Sequence, residues 1–216
     1  MYDIIIIGAG ISGATIAREL SKYNLKVIIL EKEFDVAMEQ TMANSAIVHS
    51  GHDPIPGTLK SRFNLLGNRM YKQMSEELDI PFMECGGMVL ATSKEEQEML
   101  KEIYDRALKN GLRKHEVQML DRKAILKLEP NISDLVIEGI NLPTTAVTLP
   151  WEAAIANIEN AMDNGVELAL ENKVLSIEKD DYFTVKTNKG VYEAKIVINA
   201  TGIYGANVAG LITNPK

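Results

Sequence analysis

The sequence predicts an α/β fold organised around a parallel sheet, and three observations support this prediction. Two apolar runs, Tyr2–Ile7 and Val27–Leu30, are separated by a helical stretch, which is the strand–helix–strand order of a parallel sheet. Both runs are continuously apolar rather than alternating, as expected of strands that are covered on both faces. A third apolar run, Lys195–Asn199, lies near the end of the chain and is expected to join the same sheet.

Composition restricts the class of protein. The chain has 216 residues, of which 46% are hydrophobic and 25% charged, enough for one large domain or two small ones. A net charge of −7 with scattered basic residues argues against nucleic acid as a partner. One cysteine, Cys85, cannot form an internal disulfide, and the sequence predicts neither a secretory leader nor a membrane-spanning run. We therefore predict a cytoplasmic protein, and peripheral attachment at the inner face of a membrane stays open.

The turn after the first strand carries the pattern Gly8-x-Gly10-x-x-Gly13. Gly8 permits a tight turn, Gly10 lets the backbone approach a pyrophosphate, and Gly13 lets the next helix pack closely on the strand. That helix, predicted over Gly10–Tyr23, points its free N–H groups at the phosphates. Glu31, at the tip of the second strand, can accept hydrogen bonds from an adenosine ribose. These features predict a dinucleotide site and leave NAD and FAD open.

The middle of the chain alternates loops, helices and strands. Phe34–Pro56 has no sustained period and is predicted to be a loop, whereas Leu59–Leu78 has helical spacing and an apolar stripe expected to be buried. The stripe comprises Leu59, Phe63, Leu66, Met70, Met74 and Leu78. Two further strands are predicted, over Pro81–Thr92 with a break at Gly86-Gly87 and over Leu135–Leu142. A helix is predicted to begin at Ser93, with a capping box to Glu96, and to end near Asn110-Gly111. Two more helices are predicted over Asp121–Glu129 and Pro150–Asp163.

The last third of the chain is rich in strands. Asn172–Lys179, Tyr182–Thr187 and Val191–Asn199 are separated by short polar turns, which predicts an antiparallel meander. The final strand becomes wholly apolar and is expected to enter the main sheet. It ends in a second glycine turn, Ala200-Thr201-Gly202.

Three separated segments resemble FAD-dependent oxidoreductases of the D-amino acid oxidase and glycerol-3-phosphate dehydrogenase type. They are Ile4–Lys32, Thr41–Gly51 and Val197–Gly202. The second segment is the most specific, because it is similar to the flavin-contacting loop of anaerobic glycerol-3-phosphate dehydrogenases and related oxidases. Pro54–Asn68 and Pro150–Trp151 extend the resemblance over nearly the whole chain.

The resemblance implies FAD as cofactor and a division into two domains. A Rossmann-like FAD-binding domain would comprise residues 1–78 and 144–216, and residues 79–143 would form the first part of an α+β substrate domain. Relatives often have glycine where this chain has Ala46. The residues that the resemblance assigns to FAD are Gly8, Gly10, Ile11, Ser12, Gly13, Glu31, Lys32, Thr41, Asn44, Ser45, Ala46, Ile47, Val48, Val174, Ala200, Thr201 and Gly202.

His49 is the candidate catalytic base, since the resembling oxidases have a histidine at this loop position. Oxidation of a secondary alcohol needs a group that takes the hydroxyl proton, and an imidazole with an ordinary pKa of about 6.5 suits that role. A histidine bonded only within its loop is the alternative. His52 is expected to pack or hydrogen-bond. The spacing of His, Cys and acidic residues matches no metal-binding motif, so we predict no metal.

The family resemblance favours oxidation of a small anionic substrate, glycerol 3-phosphate, to dihydroxyacetone phosphate. Oxidation of L-2-hydroxyglutarate is the close alternative, and amine oxidation is more distant. An NAD dehydrogenase would share the glycine pattern but would not explain Asn44–His49. Family members continue beyond the equivalent of Gly202, so we expect that a C-terminal segment or partner chain completes the site, and that these residues alone bind FAD weakly and are inactive. A flavin-binding fragment without activity is the competing hypothesis, and an electron-acceptor subunit stays open.

Overall fold

The computed structural model describes residues 1–213 and divides into two compact units. The first unit contains residues 1–45 and the chain from residue 149 onward, and the second contains residues 46–148. The compact units have other bounds than the predicted domains, 1–78 plus 144–216 and 79–143, since the helix Leu59–Leu78 lies in the second unit. The division into a cofactor domain and a substrate domain stays a prediction, because an amphipathic pattern states which face of a helix is apolar but not which neighbour it has.

The described helices and strands follow one another from the N-terminus. The helices are α1 (Ile11–Leu20), α2 (Leu59–Leu78), α3 (Lys94–Lys109), α4 (Arg122–Leu128), α5 (Pro150–Asp163) and α6 (Gly205–Ala209), with a 3₁₀ turn at Gly202–Tyr204. The strands are β1 (Tyr2–Ile7), β2 (Val27–Leu30), β3 (Ile47–Val48), β4 (Phe82–Met83), β5 (Met88–Ala91), β6 (Gln118–Asp121), β7 (Glu138–Asn141), β8 (Ala146–Thr148), β9 (Glu167–Ala169), β10 (Val174–Lys179), β11 (Phe183–Thr187), β12 (Val191–Asn199) and β13 (Ile212–Thr213).

A seven-stranded sheet forms the centre of the first unit, in the order β13-β10-β11-β12-β1-β2-β9. β1 pairs in parallel with β12 on one side and with β2 on the other, so that Ile5 lies opposite both Val197 and Ile28. Ile4 and Ile6 pack towards α1 and α5 on one face, and the alternate isoleucines pack on the other face with residues of β10 and β11. The predicted parallel sheet, with its buried apolar strands, is confirmed.

The β12 strand has different neighbours along its length. Its first half, Val191–Ala194, pairs with β11 in antiparallel fashion, and its second half pairs with β1 in parallel fashion. On the side away from β1, no strand of the described residues pairs with Lys195–Asn199. Ile196 in this segment is 51% exposed. The apolar strand therefore has one open edge within residues 1–213.

The second unit contains two three-stranded antiparallel sheets, β3-β8-β4 and β5-β7-β6. Its core includes Leu100 of α3 and Ile140 of β7. The expectation that the apolar stripe of α2 is buried is wrong for most of its members, because Met70 is 65% exposed and Phe63 58%. In the described residues, no apolar layer covers this stripe. The buried residues of the helix are Ser61 and Ser75.

Most predicted elements are present with small differences at their ends. The bounds of β1, β2, α2, α5 and β12 are as predicted. The first helix begins at Ile11 and ends at Leu20, three residues before its expected end, where the Ser21 hydroxyl donates to the Arg18 carbonyl. Ser93 caps α3 as expected. The sequence also did not reveal the helical turns Gly202–Tyr204 and α6 or five short strands: β3, β6, β8, β9 and β13.

No helix in the described part of the chain combines the length and apolar character needed to cross a bilayer.

Candidate functional site

Two positions in the glycine turn after β1 leave no room for a side chain. Gly8 has φ +101°, and a Cβ atom there would lie 2.8 Å from the Ala200 carbonyl oxygen. A Cβ on Gly13 would lie 2.0 Å from the Gly8 carbonyl oxygen. The turn therefore packs on the second glycine turn, while α1 packs on the strand end without an intervening side chain.

Thr41 closes the N-terminal end of α1. The Ile11 N–H donates to the Thr41 hydroxyl oxygen at 3.0 Å, and a Cβ on Gly10 would come within 3.0 Å of the same oxygen. The side-chain amide of Asn44 donates to the Thr41 carbonyl at 2.8 Å. These bonds give the loop that follows β2 a defined path across the helix end, where unpaired N–H groups favour an anion.

Glu31 is a buried carboxylate at the tip of β2, only 8% exposed. One of its oxygens accepts the Ala9 N–H at 2.7 Å, and the other accepts the Glu33 N–H at 2.9 Å. Its backbone is also tied, because its carbonyl accepts the Asn172 N–H at 2.7 Å. Each carboxylate oxygen has a second lone pair that can still accept a ligand hydroxyl. Glu31 therefore shapes the glycine turn and also faces the cavity described below.

Lys32, next to Glu31, links two further segments of the first unit. Its ammonium group contacts Glu33 and lies 2.5 Å from the Glu39 carboxylate. It also lies 4.8 Å from the centre of the Tyr204 ring, whose hydroxyl donates to Glu39 at 3.4 Å. The hydrogen bonds to these two carboxylates raise the pKa of Lys32, and the hydrogen bond from Lys32 lowers the pKa of Glu39.

A cavity of about 790 Å³ in the first unit brings these elements together. Twelve of the predicted cofactor residues line it: Gly8, Gly10, Ile11, Ser12, Glu31, Lys32, Thr41, Asn44, Val174, Ala200, Thr201 and Gly202. Residues that the sequence did not indicate also line it, among them Glu39, Gln40, Asn172, Lys173, Tyr204 and Asn207. Asn172 follows β9 and could have been suspected, since ligands bind beyond the carboxyl ends of parallel strands. The pattern of the sequence carries no comparable signal for Glu39 or Tyr204.

The other predicted cofactor residues do not line this cavity. Gly13 lies behind it in the contact between helix and strand, and Ser45 is exposed outside it. Ala46, Ile47 and Val48 belong to the second unit, where the last two form β3 and pair with β8. Ala46 has φ +60°, a conformation that glycine adopts more easily, in agreement with the glycine often found there in the resembling family.

His49 is exposed and follows β3 directly in the second unit. Its neighbour Ser50 is fully buried and holds the His52 ring, with 3.1 Å between the Ser50 hydroxyl oxygen and His52 Nδ1. Burial lowers the pKa of His52, and the Asp53 carboxylate opposes this effect. The predicted hydrogen-bonding role of His52 is confirmed.

The cavity in the first unit fits an adenine dinucleotide. Its volume lies within the range of about 300–1,000 Å³ that is usual for small-molecule sites. Gly10 and Gly13 carry no side chain, and although Thr41 accepts the Ile11 N–H, the Ser12 and Gly13 N–H groups at the start of α1 suit a pyrophosphate. The Glu31 carboxylate offers acceptors for ribose hydroxyls and disfavours an additional phosphate on that ribose.

Comparison with known proteins gives one consistent result. The model of the family DAO, FAD dependent oxidoreductase, matches residues 3–216. A glycerol 3-phosphate dehydrogenase of Caloramator mitchellensis is 43% identical over 100% of this chain and 45% of its own length. An L-2-hydroxyglutarate dehydrogenase of Escherichia coli is 34% identical over 94% of this chain and 48% of its own length.

A solved structure of an FAD-bound L-α-glycerophosphate oxidase from Mycoplasma pneumoniae superposes with a TM-score of 0.94 at 29% identity. It matches 98% of this chain and 56% of that structure. The chain thus spans about half the length of the relatives it matches.

Proposed function

Since this chain belongs to the DAO family of FAD-dependent oxidoreductases, we propose that its first unit binds FAD in an enzyme that oxidises a small anionic secondary alcohol. The observation that carries the proposal is the cavity formed by the Gly8–Gly13 turn, Glu31 and the Ala200–Gly202 turn. Bound FAD supplies the hydride acceptor for the reaction. The backbone N–H groups at the start of α1 would hold the pyrophosphate, and the Glu31 carboxylate would accept hydrogen bonds from the adenosine ribose.

The proposed substrate is glycerol 3-phosphate, which would be oxidised to dihydroxyacetone phosphate. The 43% identity to a glycerol 3-phosphate dehydrogenase over the whole chain supports this choice. The second candidate is L-2-hydroxyglutarate, which the relative at 34% identity supports less strongly. Both are small anions with a secondary hydroxyl group, so the same acid–base chemistry serves either substrate.

We assign the base to His49. A neutral imidazole would accept the proton of the substrate hydroxyl as the hydride leaves the carbon that bears this hydroxyl group. Its exposed position after β3 makes it accessible to a substrate. Ala46, Ile47 and Val48 precede it, and we assign their backbone groups to the flavin ring, as the family resemblance implies.

The remainder of the substrate site is proposed to come from the part of the relatives that these residues do not cover. The chain matches 45% of the Caloramator relative and 56% of the Mycoplasma oxidase structure. The open edge of β12 at Lys195–Asn199 supports the same view, because an apolar parallel strand is normally paired on both sides. The segment would be supplied either by the same polypeptide or by a partner chain.

The test starts with the purified protein and added FAD. Bound oxidised flavin colours the protein, and once the segment or partner chain that completes the substrate site is supplied, anaerobic addition of glycerol 3-phosphate is expected to remove that colour. Reduction by L-2-hydroxyglutarate alone would support the second substrate. A protein that takes up no FAD at any concentration would contradict the proposal for the cavity.

The His49→Asn variant tests the base separately. Asparagine keeps a polar side chain of similar size but cannot take the proton, so in the completed enzyme substrate should reduce the flavin about 100-fold or more slowly while FAD content is unchanged. His115→Asn is the matched control, because His115 is exposed elsewhere in the second unit. An unchanged rate in His49→Asn would remove His49 from this role.

A further inference from the structure

The loop that carries His49 is fastened to the end of α3. Asn110, the C-terminal capping residue of that helix, donates from its side-chain amide to the Gly51 carbonyl at 3.0 Å and to the Pro54 carbonyl at 2.7 Å. Gly51 and Pro54 are both buried. Buried carbonyl groups need hydrogen-bond donors, and leaving them unpaired destabilises the conformation that buries them. A single side chain thus serves two carbonyls three residues apart.

The orientation of the Asn110 amide follows from these partners. The reverse orientation would place its oxygen against two carbonyl oxygens, so the nitrogen must face the loop. The oxygen Oδ1 is buried and accepts no hydrogen bond from the described residues. Asn110 therefore contacts the loop purely as a donor of two hydrogen bonds, a function that the isosteric aspartate cannot perform.

The loop between these two anchors has little freedom. Gly51 has φ +98°, and a Cβ there would meet Leu65 and Leu112 at 3.3 and 3.4 Å. One residue earlier, the buried Ser50 hydroxyl holds the His52 ring at 3.1 Å. A loop fixed at positions 50, 51, 52 and 54 also fixes the backbone from which His49 extends.

We propose that Asn110 is a positioning residue for His49: its two hydrogen bonds hold the His49–Pro54 loop, and through it the His49 and His52 imidazoles, in one arrangement. This inference rests on the proposed function, since it matters for catalysis only if His49 is the base. Asn110 does not touch the reacting atoms. Its loss would let the loop move, and a displacement of about 1 Å at a reacting group can lower a rate by up to about 100-fold.

Among the described residues, three titratable or charged groups affect the pKa of His52. They are Asp53 and His49 on the same loop and Arg106 on α3, whose guanidinium also donates to the Asp53 carbonyl at 3.1 Å. Burial has the largest effect and lowers the pKa of His52. Release of the loop would expose the ring, and its pKa would rise towards the ordinary value.

The test uses NMR of the imidazole groups in the 216-residue protein, which has three histidines. Asn110→Asp should shift the His49 and His52 signals and raise the titration midpoint of His52 towards the ordinary value of an exposed imidazole, while the signals of exposed His115 stay in place. Asn164→Asp is the matched control. Asn164 also caps a helix and precedes a glycine with positive φ, but its amide bonds only within its own helix, to the Asn160 carbonyl at 2.7 Å. His49 and His52 signals that coincide in Asn110→Asp and wild type would overturn the proposal.

A measurement on the wild type alone keeps the test decisive if Asn110→Asp fails to fold. Two hydrogen bonds should slow exchange of the Asn110 side-chain amide protons with water by about tenfold or more relative to exposed Asn24. Equal exchange rates would refute the two hydrogen bonds and the proposal with them. If the NMR results are as expected but His49→Asn leaves flavin reduction unchanged, the positioning role stands and the proposed base is wrong.

Discussion

Replacing Glu31 by glutamine should destabilise the first unit even when no cofactor is present. The Glu31 carboxylate accepts backbone N–H groups from Ala9 at 2.7 Å and from Glu33 at 2.9 Å, and it is 8% exposed. Glutamine keeps one acceptor oxygen but presents an NH₂ group to the other backbone N–H. One buried hydrogen bond is therefore lost and the other becomes neutral.

The magnitude follows from the strength of such bonds. A hydrogen bond to a charged group contributes about 1.5–3 kcal/mol and a neutral one about 0.5–1.5 kcal/mol. Release of the desolvation cost of the buried carboxylate offsets part of the loss. We expect the free energy of unfolding to fall by about 2 kcal/mol, which lowers the urea midpoint by about 1 M for a denaturant slope of about 2 kcal/mol per M.

Trp151 provides the assay. It is the only tryptophan of the chain, and it packs against the core cluster of the first unit, so its fluorescence follows unfolding of the unit that contains Glu31. The control is Glu19→Gln, because Glu19 pairs with Lys22 at an exposed position where ion pairs contribute little. A midpoint equal to wild type in FAD-free Glu31→Gln, combined with weaker FAD binding, would refute the structural role and leave Glu31 a purely ligand-binding residue.

Two further predictions concern the same unit and its neighbour. Gly13→Ala should lower the free energy of unfolding of the first unit, followed by Trp151 fluorescence, by more than about 3 kcal/mol, since its Cβ would lie 2.0 Å from the Gly8 carbonyl oxygen. Gly67→Ala, in α2 of the second unit with no atom within 4 Å of its Cβ, should instead raise the thermal midpoint measured by circular dichroism slightly. A Gly13→Ala variant as stable as wild type would contradict the steric reasoning. The pKa of Asp3 is lowered from 3.8, chiefly by the Lys195 ammonium, so its contribution is present above that pH and is lost as pH falls through the lowered value. The thermal midpoint of Asp3→Asn should consequently lie below wild type at about pH 6 and converge with it as the pH falls through the lowered pKa of Asp3; a difference that stays constant with pH would exclude this linkage.

The sequence predicted the elements whose residues carry a long, regular pattern. β1 and β12 have the bounds predicted for them, Tyr2–Ile7 and Val191–Asn199, and α5 begins at its predicted Pro150. Strands of two or three residues, such as β3 and β9, have no period to detect, and they exist because neighbouring backbone supplies their partners. A local sequence pattern predicts a helix or strand only where the element is long enough for the pattern to repeat.

The candidate site was predictable where its residues lie in one short segment with a recognisable pattern. The glycine turn and Glu31 lie within one short segment, whose chemistry can be read from spacing alone. Tyr204 and Glu39 are 165 residues apart and meet only because the 3₁₀ turn after β12 reaches the loop after β2. The exposed stripe of α2 shows the complementary limit, because amphipathicity identifies an apolar face without supplying its partner.

The open edge of β12 has a consequence for how this chain behaves during synthesis and storage. From Lys195 to Asn199, backbone donors and acceptors on one side of an apolar strand are left without a strand partner in the described residues. Such an edge is a template for any extended segment that reaches it, including the same strand of another molecule. A higher protein concentration should therefore favour recovery of this chain as an aggregate over recovery as a monomer.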